Sequence, residues 1–211
     1  MVYADSSNRR KNRKGTLGSY YSVKDYKAVN PEFGTLDEFK SSVKMIHKMG
    51  MYVIIDWVAN HTAWYQKWIT EHSGFYTQDS SGNIISPNPD WTDVADLNFD
   101  NQELRKEMID ALKFWVEECD IDGYRCDVAG MVPTQFWIEA RTELEKIKNV
   151  FMLAEWDTPE MHKAFDMTYD WNLHHILNGI AKEEKTVIDL IEHLNKNEEE
   201  FPANAFRMQF T

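Results

Sequence analysis

The chain has 211 residues with 23 basic against 35 acidic, a net charge of −12, so the basic excess of a phosphate-binding surface is missing and nucleic acid is not an expected partner. Apolar residues make up 43%, enough for a sizeable core in one or at most two domains, and 9 glycines with 6 prolines exclude collagen-like and Pro/Gly-rich disordered chains. No apolar run approaches the ~18 residues of a membrane span, and the first residues lack the apolar stretch of a secretory leader, so none is expected here and the compartment is left open.

In chain order, Arg9, Arg10, Lys11, Arg13 and Lys14 form the one basic cluster, interleaved with Asn and Gly, and read as a solvated loop. A helix is expected over residues 36–48. Thr35 is its N-cap, Glu38 completes a capping box, and Phe39, Val43 and Ile46 make the apolar stripe. Residues 51–58 (MYVIIDWV) form an apolar, β-branched run of strand length. The stretch 62–100 then breaks the rhythm. It is rich in Ser, Asn, Asp and Trp, and insertions of this length inside a compact domain usually serve function.

A second helix is expected over 101–119, with Leu104, Met108, Leu112, Trp115 and Cys119 on one face, and a strand over 123–129 (GYRCDVA). A third helix opens at Pro133 and Thr134 and turns Phe136, Ala140, Leu144 and Ile147 inward; a strand follows at 150–156 (VFMLAEW). Weaker strands at 167–171 and 206–211 flank helical patterns at 173–181 and 187–195. Cys119 and Cys126 show neither metal-ligand nor disulfide spacing and read as small buried residues. His174 and His175 read as helix surface. Apolar strands alternating with helices predict an α/β fold with a parallel sheet.

In such folds the active site gathers at the carboxyl ends of the strands. Three strands here carry charge at that end: Asp56 with Asn60 and His61, then Arg125 with Asp127, then Glu155. A carboxylate in an apolar run is costly unless paired or functional. Two carboxyl groups ~5–5.5 Å apart permit double displacement at an acetal carbon, and neighbouring strands lie ~4.8 Å apart. Asp127 and Glu155 are therefore expected to face one another. Arg125 shares the face of Asp127 and would hold it ionised, whereas Glu155, between Ala154 and Trp156, sits in a less polar setting that suits a proton donor.

With these residues in view, the chain resembles the alpha-amylase family, glycoside hydrolase family 13. Residues 56–61 (DWVANH) resemble its first motif, 123–129 its second, Glu155 at the end of FMLAEW its third, and 94–98 (VADLN) the short motif closing its domain B. Residues 18–26 (GSYYSVKDY) and 30–35 (NPEFGT) are similar to the segment after its second barrel strand. The resemblance implies a retaining alpha-glucan hydrolase acting on starch and maltooligosaccharides, built on a (β/α)8 barrel. It makes Asp127 the nucleophile and Glu155 the acid/base. Arg125 orients Asp127, His61 and Tyr21 hold the sugar, and Asp56 braces the pocket. Asn60 and Asp96 match positions that often hold a structural calcium, and both offer hard oxygen ligands.

Two departures stand out. Gly130 and Met131 occupy places where many members have Lys-His, which removes a common aglycone-side contact. No Asn-His-Asp triplet, the family's third catalytic carboxylate motif, occurs in the 211 residues. The chain therefore reads as an internal piece of a larger enzyme: roughly barrel strands three to seven (residues 1–61 and 101–211) plus a short domain B-like insertion (62–100). On its own it is expected to be inactive. An alpha-glucosidase or transglycosylase of the same family, or a non-catalytic relative serving as a scaffold, are the alternatives. Trp57, Trp64, Trp68 and Trp91 suggest sugar-stacking platforms, with core packing the better reading of Trp57.

Overall fold

The computed structural model describes residues 18–208. The basic cluster at residues 9–14 and the end of the last expected strand lie outside the described residues. The architecture alternates strands and helices: α1 (Leu36–Lys48), β1 (Ile54–Trp57), α3 (Gln102–Cys119), β4 (Gly123–Cys126), α4 (Thr134–Glu145), β5 (Phe151–Ala154), β6 (Met167–Tyr169), α5 (Trp171–Ala181), α6 (Val187–Glu200) and β7 (Phe206–Met208). The remaining elements, β2 (His61–Ala63), α2 (Trp68–Glu71) and β3 (Val94–Asp96), belong to the long insertion.

The helices begin where the capping chemistry places them. Thr35 Oγ1 accepts from the Glu38 amide at 3.2 Å while the Thr35 amide donates to Glu38 Oε2 at 2.8 Å. Asn101 caps α3 by accepting from the amides of Glu103 and Leu104. The stripe expected on α3 is buried throughout, from Leu104 to Cys119. On α4, Phe136, Ala140 and Leu144 are buried as expected, but Ile147 lies past the helix end and is 36% exposed. Both cysteines are free and buried.

Five strands pair in the order β1-β4-β5-β6-β7, every pair parallel, giving a partial (β/α)8 barrel. They are shorter than the apolar runs suggested. Met51 and Tyr52 precede the ladder and are exposed, and β4 ends at Cys126 because the chain turns sharply after Asp127. Strand alternation divides the sheet into two faces. Trp57, Tyr124, Cys126, Met152, Ala154 and Thr168 are buried completely on the helix side. Gly123 is dictated by its register partner Phe151, whose carbonyl oxygen would lie 2.0 Å from any Cβ added there.

The insertion closes on itself through the antiparallel pair β2–β3, with His61 opposite Asp96, so His61 belongs to this hairpin rather than to the end of a barrel strand. It shares its core with the barrel. The ring of Tyr26 lies 5.2 Å from Trp57 and 5.5 Å from Trp68, which in turn meets Phe75 at 5.5 Å. Trp57 and Trp68 are thus core residues, and the platform reading of Trp68 is corrected; both sit under aromatic neighbours instead of facing a cleft.

Candidate active site

The parallel register carries the candidate residues to one level at the carboxyl end of the sheet. Asp56 on β1 pairs with Arg125 on β4, and Cys126 with Ala154 on β5. The ladder continues one residue further, since the Asp127 amide donates to the Trp57 carbonyl at 2.8 Å and the Glu155 amide to the Cys126 carbonyl at 3.0 Å. Asp127 and Glu155 therefore occupy matching positions on adjacent strands.

Arg125 ties the site together. Its Nη1 reaches Asp56 Oδ1 and Asp127 Oδ1, both at 2.8 Å, and its Nη2 reaches Glu155 Oε1 at 2.6 Å. Its Nε donates to the Tyr169 hydroxyl at 3.2 Å. Burial works against the guanidinium charge, but the bonds to Tyr169, Asp56 and Asp127 outweigh it and raise its pKa. One cation thus faces three carboxylates.

Burial, more than that excess of negative charge, sets the protonation of Asp127. Burial pushes the Asp127 carboxyl up to about 6; the Arg125 hydrogen bond opposes this, and the nearby Glu155 charge adds to it. Arg125 lowers the Asp127 pKa through its hydrogen bond and its charge, but burial outweighs it. The expected apolar setting of Glu155 is also corrected. Its carboxylate meets Arg125 on one oxygen and accepts from the Val128 amide at 2.9 Å on the other. Val128 presents that amide from a left-handed conformation, φ 38° and ψ 46°, which is strained for a β-branched residue.

These groups open onto a cleft of about 330 Å³, within the ~300–1,000 Å³ range of small-molecule sites. Tyr21, His61, Arg125, Asp127 and Glu155 line it, as expected, together with Ser19, Trp91, Asp93, Val94 and Val128. The Tyr21 hydroxyl makes a long contact of 3.5 Å to Asp56 Oδ2, and burial raises its pKa. His61 is buried, with the Trp91 ring 5.6 Å away at 63°. Trp91 is thus the tryptophan of the four that reaches the cleft, while Trp64 is half-buried and donates to the Thr92 carbonyl. Tyr169 and Asp93 were missed. Tyr169 sat in a strand too short to weigh, although its position at a strand end was a usable signal.

Asn60 immediately precedes β2, and Asp96 lies opposite His61 in the hairpin ladder. The Asn60 carbonyl accepts from the Leu97 amide, and its side-chain amide lies 3.2 Å from His61 Nδ1. Burial pushes the Asp96 carboxyl up, partly relieved by a hydrogen bond from Thr77. Among the described residues no three His, Cys, Asp or Glu side chains gather where they could hold a metal. The donors fit calcium in kind, being hard oxygens with one desolvated carboxylate. In number they fall short of the six to eight it takes, leaving backbone carbonyls and water to complete a shell.

Comparison with known proteins agrees with this architecture. An alpha-amylase of Lactobacillus plantarum superposes with a TM-score of 0.89 at 37% identity, over 94% of this chain and 51% of that one. A maltogenic alpha-amylase, AmyB of Thermotoga neapolitana, gives the same TM-score and identity over 95% of this chain and 47% of its own. Alpha-amylase 3 of Dictyoglomus thermophilum is 27% identical over 217 residues, covering 87% of this chain but 43% of that protein. The chain thus spans less than half of that relative's length. The family model for the alpha amylase catalytic domain matches residues 9–89 and 88–206, and the chain belongs to that family.

Proposed function

We propose that this chain carries the catalytic centre of a retaining hydrolase of alpha-1,4-glucans, starch and maltooligosaccharides, working by double displacement. The observation that supports it most directly is the single guanidinium shared by Asp56, Asp127 and Glu155 at the carboxyl end of a parallel sheet. Asp127 attacks the anomeric carbon as the bond to the departing sugar oxygen breaks, and protonated Glu155 supplies that oxygen with its proton. Glu155, now a carboxylate, takes a proton from water. The water oxygen displaces Asp127 from the anomeric carbon and restores both groups, with net retention. The transition state carries positive charge on the ring, and the carboxylates of Asp127 and Asp56 beside it favour it electrostatically.

Tyr21 and His61 flank the ring, Asp56 holds Arg125 in place, and Trp91 offers a flat apolar face. We also propose that Asn60 and Asp96 contribute to a structural calcium beneath the hairpin. Because the family's third catalytic carboxylate has no counterpart among these residues, the chain alone should turn over starch at a negligible rate. The test therefore uses binding. In a crystal structure with a maltooligosaccharide, one anomeric carbon should lie ~3–3.5 Å from an Asp127 oxygen, with the glycosidic oxygen within hydrogen-bond reach of Glu155. A sugar seated away from both, or approached by both from one side, would overturn the reading.

A further inference from the structure

Arg125 draws together four adjacent strands. Its partners stand on β1 (Asp56), just past β4 (Asp127), just past β5 (Glu155) and at the end of β6 (Tyr169). Three are carboxylates, met by Nη1 and Nη2; the fourth is a neutral hydroxyl, met by Nε. Thr168 is buried on the helix side, so Tyr169 projects from the inner face, as Arg125 does between Tyr124 and Cys126. The guanidinium carbon lies 5.7 Å from the centre of the Tyr169 ring, within reach of a cation–π contact. Tyr169 is not among the residues that line the cleft, so whatever it contributes to the chemistry passes through Arg125.

Tyr169 is itself firmly held. Its amide donates to the Trp156 carbonyl at 3.1 Å, and the Asp170 amide donates to the Met208 carbonyl at 2.9 Å. The end of β6 is thereby tied to the chain on both sides. The Asp170 carboxylate, 2% exposed, accepts from the Leu173 amide at 2.9 Å and pairs with Arg207 at 3.1 Å. The Trp171 ring meets Tyr169 at 90°.

We infer that Tyr169 is a positioning residue of the active site: by accepting from Arg125 Nε, its hydroxyl fixes the plane of the guanidinium and the aim of both Nη groups. The inference rests on the roles proposed for Asp127 and Glu155. A guanidinium is planar and holds its N–H donors in a rigid fork. Turning it about the Cδ–Nε bond sweeps both Nη groups off their partners, and a hydrogen bond at Nε arrests that turn. A carboxylate at this place would add a fourth negative charge around one cation. The hydroxyl supplies the anchor without the charge. Burial opposes the charge of Arg125, and the Tyr169 bond is foremost among the contacts that offset it.

The experiment follows the 211-residue chain, isotope-labelled at aspartate and arginine, by NMR. In the unaltered chain the Arg125 Nε–H should exchange slowly with water. Tyr169→Phe keeps the ring against Arg125 and Trp171 and removes only the acceptor. In that variant the Nε–H should exchange roughly tenfold faster. Asp127 should titrate higher than in the unaltered chain by roughly half a pH unit, because the Arg125 bond that opposes its burial is loosened. A tyrosine that only fills space would leave the Asp127 titration where it was, and that outcome overturns the inference. Fast exchange of the Nε–H in the unaltered chain overturns it too, and needs no variant to fold. Added maltotriose should move the Asp127 signal of the unaltered chain. If it does so while Tyr169→Phe changes nothing, only the positioning role falls; if the signal stays still, the active-site reading falls and the inference with it.

Discussion

Asp127, the proposed nucleophile, is also a burden on the fold. Its carboxyl is raised from an ordinary value of 3.8 to about 6 by burial, so the folded state prefers it protonated. The stability this group contributes is fully present below pH 3.8 and is lost as pH rises through 6. A shift of that size corresponds to about 3 kcal/mol. Asp127→Asn should therefore match the parent chain near pH 4 and exceed it by up to that amount above pH 7, read from denaturant unfolding at each pH. A variant less stable than the parent at pH 8 would mean that the Arg125 attraction outweighs burial after all. Val128 makes the same argument in backbone terms. Its φ of 38° costs about 1–3 kcal/mol and aims an amide at Glu155. Val128→Gly should relieve the strain for a net gain of about 1 kcal/mol after glycine's entropic cost, with unfolding again the measure; a net loss of that size would show that the conformation is not strained. The residues of the site were legible because carboxylates inside apolar strands are costly and so conspicuous. The protonation of Asp127 was not, because it is set first by burial, and no spacing along the chain encodes that.

At the scale of elements, local chemistry explains what could be read and what could not. The helix starts at Thr35 and Asn101 were readable because a capping side chain lies within three residues of the amide it serves. Strand ends depend on a partner far along the chain. The ladder of β1 begins only at Ile54, opposite Gly123, so the apolar run at 51–58 overstated it. The hairpin of β2 and β3 was hidden for a similar reason: each strand has three residues, and some thirty others separate them. That hairpin carries the next prediction. A calcium held by Asp96 and Asn60 would neutralise a carboxylate that burial now penalises. Added calcium should raise the thermal midpoint, a strong chelator should lower it, and Asp96→Asn should abolish the difference. An identical midpoint with calcium and with chelator, in the parent chain, would remove the metal from the reading.

At the scale of the whole molecule, the sheet has two unlike faces. The helix side is sealed, with Trp57, Tyr124 and Met152 wholly inaccessible to solvent. On the other side Ile54, Phe151 and Phe206 stand on β1, β5 and β7, 42%, 37% and 66% exposed. Those residues are of the kind that fills the inside of a closed barrel, where layers of side chains from all strands pack against each other. Among the described residues the two outer strands, β1 and β7, pair on one side only, and such edges are templates for further pairing. Helix α6 adds Val187, Ile188, Ile191 and Leu194, all exposed, and no residue of α6 is buried. Apolar surface of this extent is normally covered in a stable protein, and the charge of −12 opposes association only at long range, where salt screens it. The 211-residue chain on its own should therefore self-associate in sedimentation velocity, more strongly as salt is raised. Replacing Ile54 and Phe206 by lysine together should shift it toward the monomer, because charge placed on an open edge and an open inner face disfavours both routes of pairing. A chain that stays monomeric at every concentration and salt tested, with its helical signal intact, would show that the inner face is closed in solution by a rearrangement of these same strands.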